Sequence, residues 1–281
     1  MVAPVLGGVL TAVTLVGCGD SGENGSDEGK DADSRANDPA QVVQAANRKT
    51  TEAETAKLQV ASQAEAQGES VTVKGDGVID LASGASDMTL AAQGQEIEQR
   101  VLDGVLFQKP PSGQRPQMLP SGKTWMKIDL AAIAAQQGGN GQVGDPATSF
   151  GFSEVVSGKD VRKVGSETVD GAETTHYKTR VDLKALAEAG GDPQTEKMTE
   201  QLGDSLPMDL WLDDEGRIRQ QQFELTIEPE AGDGTGTEGV TSTTTLKFSD
   251  FGTDVDVRAP AAKDTADVTD KITDQQTMQG G

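Results

Sequence analysis

The sequence contains a single cysteine, Cys18, and a single histidine, His176, among its 281 residues. A lone thiol excludes an internal disulfide, and one cysteine with one histidine is too few for a closed zinc site of the usual Cys/His type. No GxSxG motif occurs in the chain, so the nucleophile elbow of many serine hydrolases is also missing. These absences exclude several common classes of metal and nucleophilic site.

Positive charge is also scarce. The chain has 24 Lys and Arg residues against 46 Asp and Glu residues, which gives a net charge of -22 at pH 7. Such an acidic surface repels nucleic-acid phosphates and does not adsorb to anionic lipid by electrostatic attraction. We therefore expect no nucleic-acid partner, and membrane contact has to arise in another way.

The one cysteine follows an uncharged apolar run, residues 2–16, and precedes an acidic stretch. The run is too short to span a bilayer, which takes about 20 apolar residues. A short apolar segment that ends in small residues is typical of a secretory signal. Immediately before Cys18 the chain reads Leu15, Val16 and Gly17, which resembles a bacterial lipobox.

The lipobox resemblance implies that residues 1–17 are a cleaved signal peptide and that Cys18 becomes the lipidated N-terminus through a diacylglycerol thioether, with palmitate among the attached acyl chains. The alternative is a cysteine with no special role. No Lys or Arg precedes the apolar run, which departs from the usual basic start of a signal. One interpretation is that the true start codon lies upstream of Met1.

Composition divides the rest of the chain into three parts. Residues 18–38 comprise the lipidated cysteine and an acidic, Gly- and Ser-rich stretch with no large apolar side chain, which predicts a flexible tether. Residues 39–258 contain no long linker and are predicted to be one domain. Residues 259–281 are polar, and a sparse spacing of Val268 and Ile272 indicates at most a weak terminal helix, so this segment is predicted to be a mostly disordered tail.

The domain begins with Asp38 and Pro39, an N-cap and a first-turn proline that predict a helix of about three turns. From Ala56 the apolar period changes to two, and strands follow one another with an X-Gly pair at their turns, as at Asp103 and Gly104. A second Asp-Gly turn of this kind is predicted at residues 169–171. Two later segments, residues 123–139 and 175–191, each predict a strand followed by an Ala-rich helix. An aspartate, Asp129 or Asp182, is the predicted N-cap of that helix. The pattern predicts an α+β fold with about eleven strands and three or four helices.

Four segments carry a resemblance to a known family: EQRVLDGVLFQK, KTWMKIDL, GSETVDGAETTHYKTRVDL and PMDLWLDDEGRIRQ. Together with the lipobox they resemble the LppX/LprG-type cell-envelope lipoproteins of actinobacteria, whose fold is related to the lipoprotein carrier LolA. The resemblance covers most of residues 39–258. It implies a strongly curved antiparallel sheet, a half-open barrel, wrapped around the helices, with an apolar cavity between sheet and helices in members that carry lipids.

Motifs that would indicate an enzyme are weak. Two GxGxxG matches, at 139–144 and 234–239, lack the preceding strand and following helix of a dinucleotide site. Residues 213–215 are acidic but lack the alternating ligand spacing of a calcium loop. His176 alternates with Tyr177 on a predicted strand, and we interpret it as a hydrogen-bonded strand histidine. We therefore predict no catalytic residue, no metal and no cofactor.

These observations favour a monomeric lipoprotein anchored by Cys18 to the extracytoplasmic face of the cell membrane, which binds a lipid or glycolipid on the inner face of its sheet. The predicted lining consists of alternating apolar residues: Val60, Met88, Leu90, Ile97, Val101 and Leu210. Positions such as Ala64, Ala92, Gln99 and Gln220 on the same alternation make that face more polar than a long lipid prefers.

Two other functions remain open at this stage. The first is an envelope sensor or protein-interaction module of the same fold with no transported lipid, which a closed core filled by Trp125, Phe150, Phe152 and Trp211 would favour. The second is a cell-wall enzyme, which would require a polar cleft with carboxylates converging around His176.

Overall fold

The computed structural model describes residues 39–66, 69–136, 160–184, 204–227 and 240–273. In these residues one sheet of twelve strands forms a curved, open and mostly antiparallel surface. The predicted α+β class is confirmed, with one strand more than the sequence indicated. The strands are β1 (Thr55–Ala66), β2 (Glu69–Asp80), β3 (Ser86–Ala92), β4 (Gln95–Leu102), β5 (Val105–Lys109), β6 (Trp125–Asp129), β7 (Arg162–Val169), β8 (Ala172–Asp182), β9 (Ser205–Leu212), β10 (Ile218–Ile227), β11 (Val240–Ser249) and β12 (Thr265–Asp267).

The strand order is β12-β6-β5-β4-β3-β2-β1-β11-β10-β9-β8-β7, so β7 and β12 are the edges. Three α-helices lie in residues 39–136: α1 (Pro39–Thr51), α2 (Arg115–Met118) and α3 (Leu130–Gln136). Helix α1 begins at the predicted proline. Asp129 caps α3 as predicted, because its carboxylate accepts a hydrogen bond of 2.9 Å from the Ala132 N–H.

Tight turns hold consecutive strands in antiparallel pairs. At Asp103 and Gly104, φ is 52° and 72°, and at Asp170 and Gly171 it is 48° and 86°. Positive φ at both central residues is the signature of the type I′ turn, whose twist matches that of the flanking strands. Glycine adopts this conformation without strain, and aspartate tolerates it better than most residues do. The hairpins predicted at these X-Gly pairs are confirmed.

Helix α1 packs on one face of the sheet, which we call the inner face. Val43 and Ala46 of α1 are fully buried against Leu58, Leu210 and Leu246 of the sheet. A further contact ties the helix end to β10: the Thr50 hydroxyl accepts a hydrogen bond of 2.8 Å from the Ile218 N–H. The main core therefore lies between α1 and the inner face.

Glycines of β2 allow side chains of β3 to lie across the inner face. A methyl group on Gly77 would overlap the backbone of Asp87 and Met88, and one on Gly75 would overlap the side chain of Leu90. Glycine is therefore required at Gly77 because of close backbone approach, not because of a positive φ.

Replacing Gly77 with alanine is expected to destabilise the protein by about 1–3 kcal/mol, because β2 and β3 must separate to admit the methyl group. Chemical denaturation would measure the change. Gly165→Ala is the matched control, since a Cβ there meets no atom within 4 Å. Its free energy of unfolding should stay within about 1 kcal/mol of the wild-type value. Equal losses in both variants would contradict the proposed reason for Gly77.

The C-terminal segment differs from the sequence prediction. Residues 262–264 form a 3-10 helix, β12 pairs in parallel with β6, and residues 269–273 are helical. Val268 and Ile272 pack with Met126 and Ile128 in a second apolar cluster. The predicted disordered tail is therefore wrong for residues 259–273. Local composition misses this order because the stabilising partners lie on β6, far away in the sequence.

An ion pair secures β12 to β6. The Asp267 carboxylate accepts hydrogen bonds from Lys127 Nζ at 2.9 Å and from the Thr269 hydroxyl at 2.8 Å. These two bonds, that from Lys127 first, lower the pKa of Asp267 below its usual value. The carboxylate therefore stays charged well into the acid range.

Candidate functional site

All six predicted lining residues lie on the inner face. Directly paired residues of neighbouring antiparallel strands point to the same side of a sheet. The pairing register places four of the six in one row that crosses eight strands. This row reads Tyr177, Leu210, Gln221, Leu246, Val60, Gly75, Leu90 and Ile97. Met88 belongs to the next row on this face, and Val101 belongs to the row after that.

Burial divides the six residues into two groups. Met88, Val101 and Leu210 are at most 5% exposed. They fill the core, and no ligand can reach them without displacing packed side chains. Val60, Leu90 and Ile97 are only partly buried, and the first two pack on the edge of the main core. The second group alone has the exposure that a ligand-contacting residue needs.

The partly buried residues continue into an apolar strip, defined as Val60, Val71, Leu90, Ile97, Phe223 and Leu225. The strip lies on the inner face beyond the main core, and Val71 at its far end is 41% exposed. Ser62 and Thr244 lie between strip residues, and their hydroxyls hydrogen-bond to each other at 3.0 Å. This bond satisfies one hydroxyl donor and one acceptor of the pair, which lowers the cost of covering it with an apolar molecule.

Glutamine on the inner face was expected at Gln99 and Gln220. Gln99 is there, and it is 4% exposed. Gln220 is instead on the opposite face, which we call the outer face, because it pairs with Trp211 and Lys247. A register shift between Ile218 and Gln220 moves the alternation by one residue. Gln221, which is fully buried, occupies the inner position.

Both tryptophans are on the outer face, so they do not fill the core between sheet and helix. Trp125 lies beneath two cations, with Arg100 Cζ 5.0 Å and Lys109 Nζ 5.6 Å from the ring centroid. Trp211 stacks on His176, with ring centroids 4.3 Å apart. The closed aromatic core considered from the sequence is therefore not formed by Trp125 and Trp211. Phe150 and Phe152 lie outside the described residues.

The outer face carries a polar cluster at the β7 edge. His176 on β8 has its Nδ1 2.9 Å from Glu167 Oε1 of β7 and its Nε2 2.5 Å from Asp209 Oδ1 of β9. Trp211 Nε1 donates a hydrogen bond of 2.7 Å to the other oxygen of Glu167. The bonds from Trp211 and then His176 lower the pKa of Glu167 below its usual value. The prediction of a hydrogen-bonded strand histidine is confirmed.

An open polar cleft of about 440 Å³ adjoins this cluster. Its lining consists of Ser166, Glu167, Thr168, Glu173, Thr174, Thr175, Leu212, Asp213 and Asp214. The cleft and the carboxylates around His176 are the features that the enzyme hypothesis requires. However, both ring nitrogens of His176 already contact carboxylates. A general base needs a free ring nitrogen within reach of its substrate, so the described geometry does not provide one.

Several predicted features lie outside the described residues: Cys18, the lipobox residues Leu15, Val16 and Gly17, and both GxGxxG matches. Within the part that the structure describes, no helix is long and apolar enough to cross a membrane. The same residues contain no group of three or more His, Cys, Asp or Glu side chains arranged to hold a metal ion.

Comparison with known proteins gives a family match over most of the chain. A model described as "LppX_LprAFG lipoprotein" matches residues 38–257. A 31.2 kDa protein of Streptomyces griseus, described as uncharacterized, is 25% identical over 268 residues, with 86% of this chain and 82% of that protein covered.

Two solved structures also align with the chain. LppX of Mycobacterium tuberculosis is 14% identical, with 78% of this chain and 99% of that chain covered and a TM-score of 0.45. LprF of Mycobacterium bovis is 15% identical, with 80% and 97% covered and a TM-score of 0.40.

Proposed function

This chain belongs to the LppX_LprAFG lipoprotein family, and from that membership we propose that it binds a lipid or another hydrophobic ligand on the inner face of its sheet. We further propose that Cys18 carries a diacylglycerol anchor, which holds the protein as a monomer on the extracytoplasmic face of the cell membrane. Residues 1–17 are then the signal peptide and residues 18–38 the tether. Residues 39–258, together with the C-terminal segment through residue 273, form the binding domain.

The apolar strip is the observation that carries the binding proposal. Its side chains are partly exposed, although several of them lie in the same row of the inner face as fully buried residues of the main core. Apolar surface gains about 25 cal/mol for each Å² removed from water, so an acyl chain laid along the strip is stabilised in proportion to the area it covers. Large exposed apolar patches on soluble domains usually mark such binding surfaces.

The anchor gives the binding domain access to its ligand. Two acyl chains hold a protein on a membrane far longer than one, since each buried CH₂ contributes about 0.8 kcal/mol. An acidic, Gly- and Ser-rich tether is flexible and self-repelling, so it keeps the domain close to the bilayer without fixing its orientation. The net charge of -22 would otherwise keep the domain away from anionic lipid.

Val60→Gln tests the strip directly, because it places a polar amide where the acyl chain would lie. We expect the affinity for a fluorescent fatty acid to fall about tenfold, equivalent to about 1.4 kcal/mol. Ala61→Gln is the matched control, since Ala61 is the next residue of β1 and is exposed on the outer face. Equal affinities for wild type, Val60→Gln and Ala61→Gln would contradict binding at the strip.

Native mass spectrometry of the full chain, purified from its own membranes, tests whether a ligand exists. A lipid that co-purifies at one per protein would support the proposal and identify the cargo. A folded protein without bound lipid, together with no measurable fatty-acid binding, would instead favour the alternative of an envelope sensor or protein-interaction module of the same fold.

A further inference from the structure

The polar cluster at the β7 edge contains more hydrogen-bond contacts than its protons can satisfy. Both nitrogens of His176 face carboxylate oxygens, of Glu167 on one side and Asp209 on the other. An ionised carboxylate only accepts hydrogen bonds, and a neutral imidazole has one N–H to donate. With neutral histidine and two ionised carboxylates, one of the two contacts would bring two acceptors together. The cluster therefore holds one additional proton.

The neighbouring groups indicate where that proton resides. Glu167 accepts hydrogen bonds at both of its oxygens, and these lower its pKa, so it remains ionised. Asp209 also forms an ion pair with Lys178 of β8, whose Nζ is 3.5 Å from Oδ1. The remaining position is the ring of His176, as an imidazolium that donates from both nitrogens.

Other charged and aromatic groups frame the ring. Arg162 of β7 lies directly opposite Lys178, so two cations stand on the outer face beside the two carboxylates. Trp211 of β9 stacks on the ring and leaves it 8% exposed. Lys247 of β11 lies in the same row on this face, opposite Gln220, and pairs with Asp170 at 2.9 Å. The additional proton is therefore shielded from solvent and flanked by the carboxylates of β7 and β9.

The position of the cluster gives it a structural consequence. β7 is the last strand of the sheet and, among the described residues, pairs with β8 alone. A register shift between Lys163 and Gly165 interrupts that pairing. Glu167 lies two residues after the shift, where regular backbone pairing between β7 and β8 has resumed. Its contacts with His176 and Trp211 therefore hold β7 against the sheet at that point.

We propose that Glu167, His176, Asp209 and Trp211 form a proton-dependent clasp that holds β7 against the sheet. The clasp is closed while it keeps its additional proton. When that proton leaves, a ring nitrogen and a carboxylate oxygen face each other as acceptors, and the contact to Glu167, the more exposed of the two carboxylates, is lost. Because Glu167 also lines the polar cleft, its release changes the cleft as well as the edge.

The proton count can be measured because the chain has one histidine. Nitrogen-15 labelling of histidine in the full chain gives two ring signals, with no assignment ambiguity. We expect both at pH 7 to have the chemical shifts of protonated nitrogens. One protonated and one unprotonated nitrogen would show that the ring does not carry the additional proton, and this result would overturn the clasp.

Hydrogen exchange tests the consequence for β7. After correction for the intrinsic exchange rate, we expect protection of the β7 amides to fall about tenfold from about pH 6 to about pH 9, while β1 remains unchanged. Glu167→Gln should remove this pH dependence, because a glutamine amide can donate to a neutral ring as well as accept from Trp211. Glu173→Gln is the control, since Glu173 is exposed in the same cleft.

Two results would overturn the proposal: protection of β7 that does not vary with pH in the wild type, or an equal loss of pH dependence in Glu173→Gln. If Glu167→Gln does not fold, Asp209→Asn provides the same comparison from the β9 side. Neither measurement involves a lipid, so failure of the clasp is distinguishable from failure of the proposed binding function.

Discussion

Cys18→Ala is expected to move the protein completely from the detergent phase to the aqueous phase in a phase-partition experiment. Without the thiol no diacylglycerol can be attached, and the precursor should remain uncleaved by the lipoprotein peptidase. The intact mass should then lack the diacylglycerol and retain residues 1–17. These two readouts, partition and mass, report on the same chemical step.

The physical reason is the size of the anchor's contribution. A single acyl chain gives marginal, reversible membrane binding, while two chains give stable attachment at about 0.8 kcal/mol for each buried CH₂. Ser21→Ala, in the adjacent tether, is the control and should stay in the detergent phase. Continued detergent partitioning of Cys18→Ala would contradict the anchor.

Which residues share a sheet face could be predicted from the sequence. Alternation places Val60, Leu90 and Leu210 on one side, and the structure puts them in one row. Period-two patterning fixes the face because successive side chains of a strand point in opposite directions. The local turn signals at Asp103 and Asp170 succeed for a similar reason, since the required φ values depend on two adjacent residues.

Burial along each strand could not be predicted in this way. Leu210 is fully buried while Leu90 in the same row is only partly buried, because helix α1 and its contacts cover one region of the inner face more than the other. The alternation also fails wherever a bulge shifts it, as at Gln220. Both effects depend on residues distant in sequence, and β12 was missed for the same reason.

Only part of the polar cluster could be predicted from the sequence. The sequence indicated that His176 lies on a strand and forms hydrogen bonds. Its partners could not be identified, since Glu167 and Asp209 come from the strands on either side, and the register of β7 shifts just before the contact. Predicting the cluster would require the pairing of three strands to the exact residue, which no local pattern specifies.

Leu210→Ala and Leu90→Ala are expected to separate stability from ligand binding. Leu210 is 0% exposed, so its truncation leaves a cavity in the main core and should lower the free energy of unfolding by about 2–5 kcal/mol. Leu90 is partly exposed, and its truncation removes less buried surface, so the loss should be about 1 kcal/mol. Chemical denaturation of the lipid-free protein measures both values.

Fatty-acid affinity should follow the opposite order. Leu90 belongs to the apolar strip, so Leu90→Ala should weaken binding several-fold, while Leu210→Ala should leave the affinity of the folded protein near the wild-type value. This reversal matters because a general loss of packing would lower stability and binding in parallel. If Leu210→Ala weakens binding more than Leu90→Ala does, the ligand occupies the region now assigned to the core, and the partly buried strip is not the binding surface.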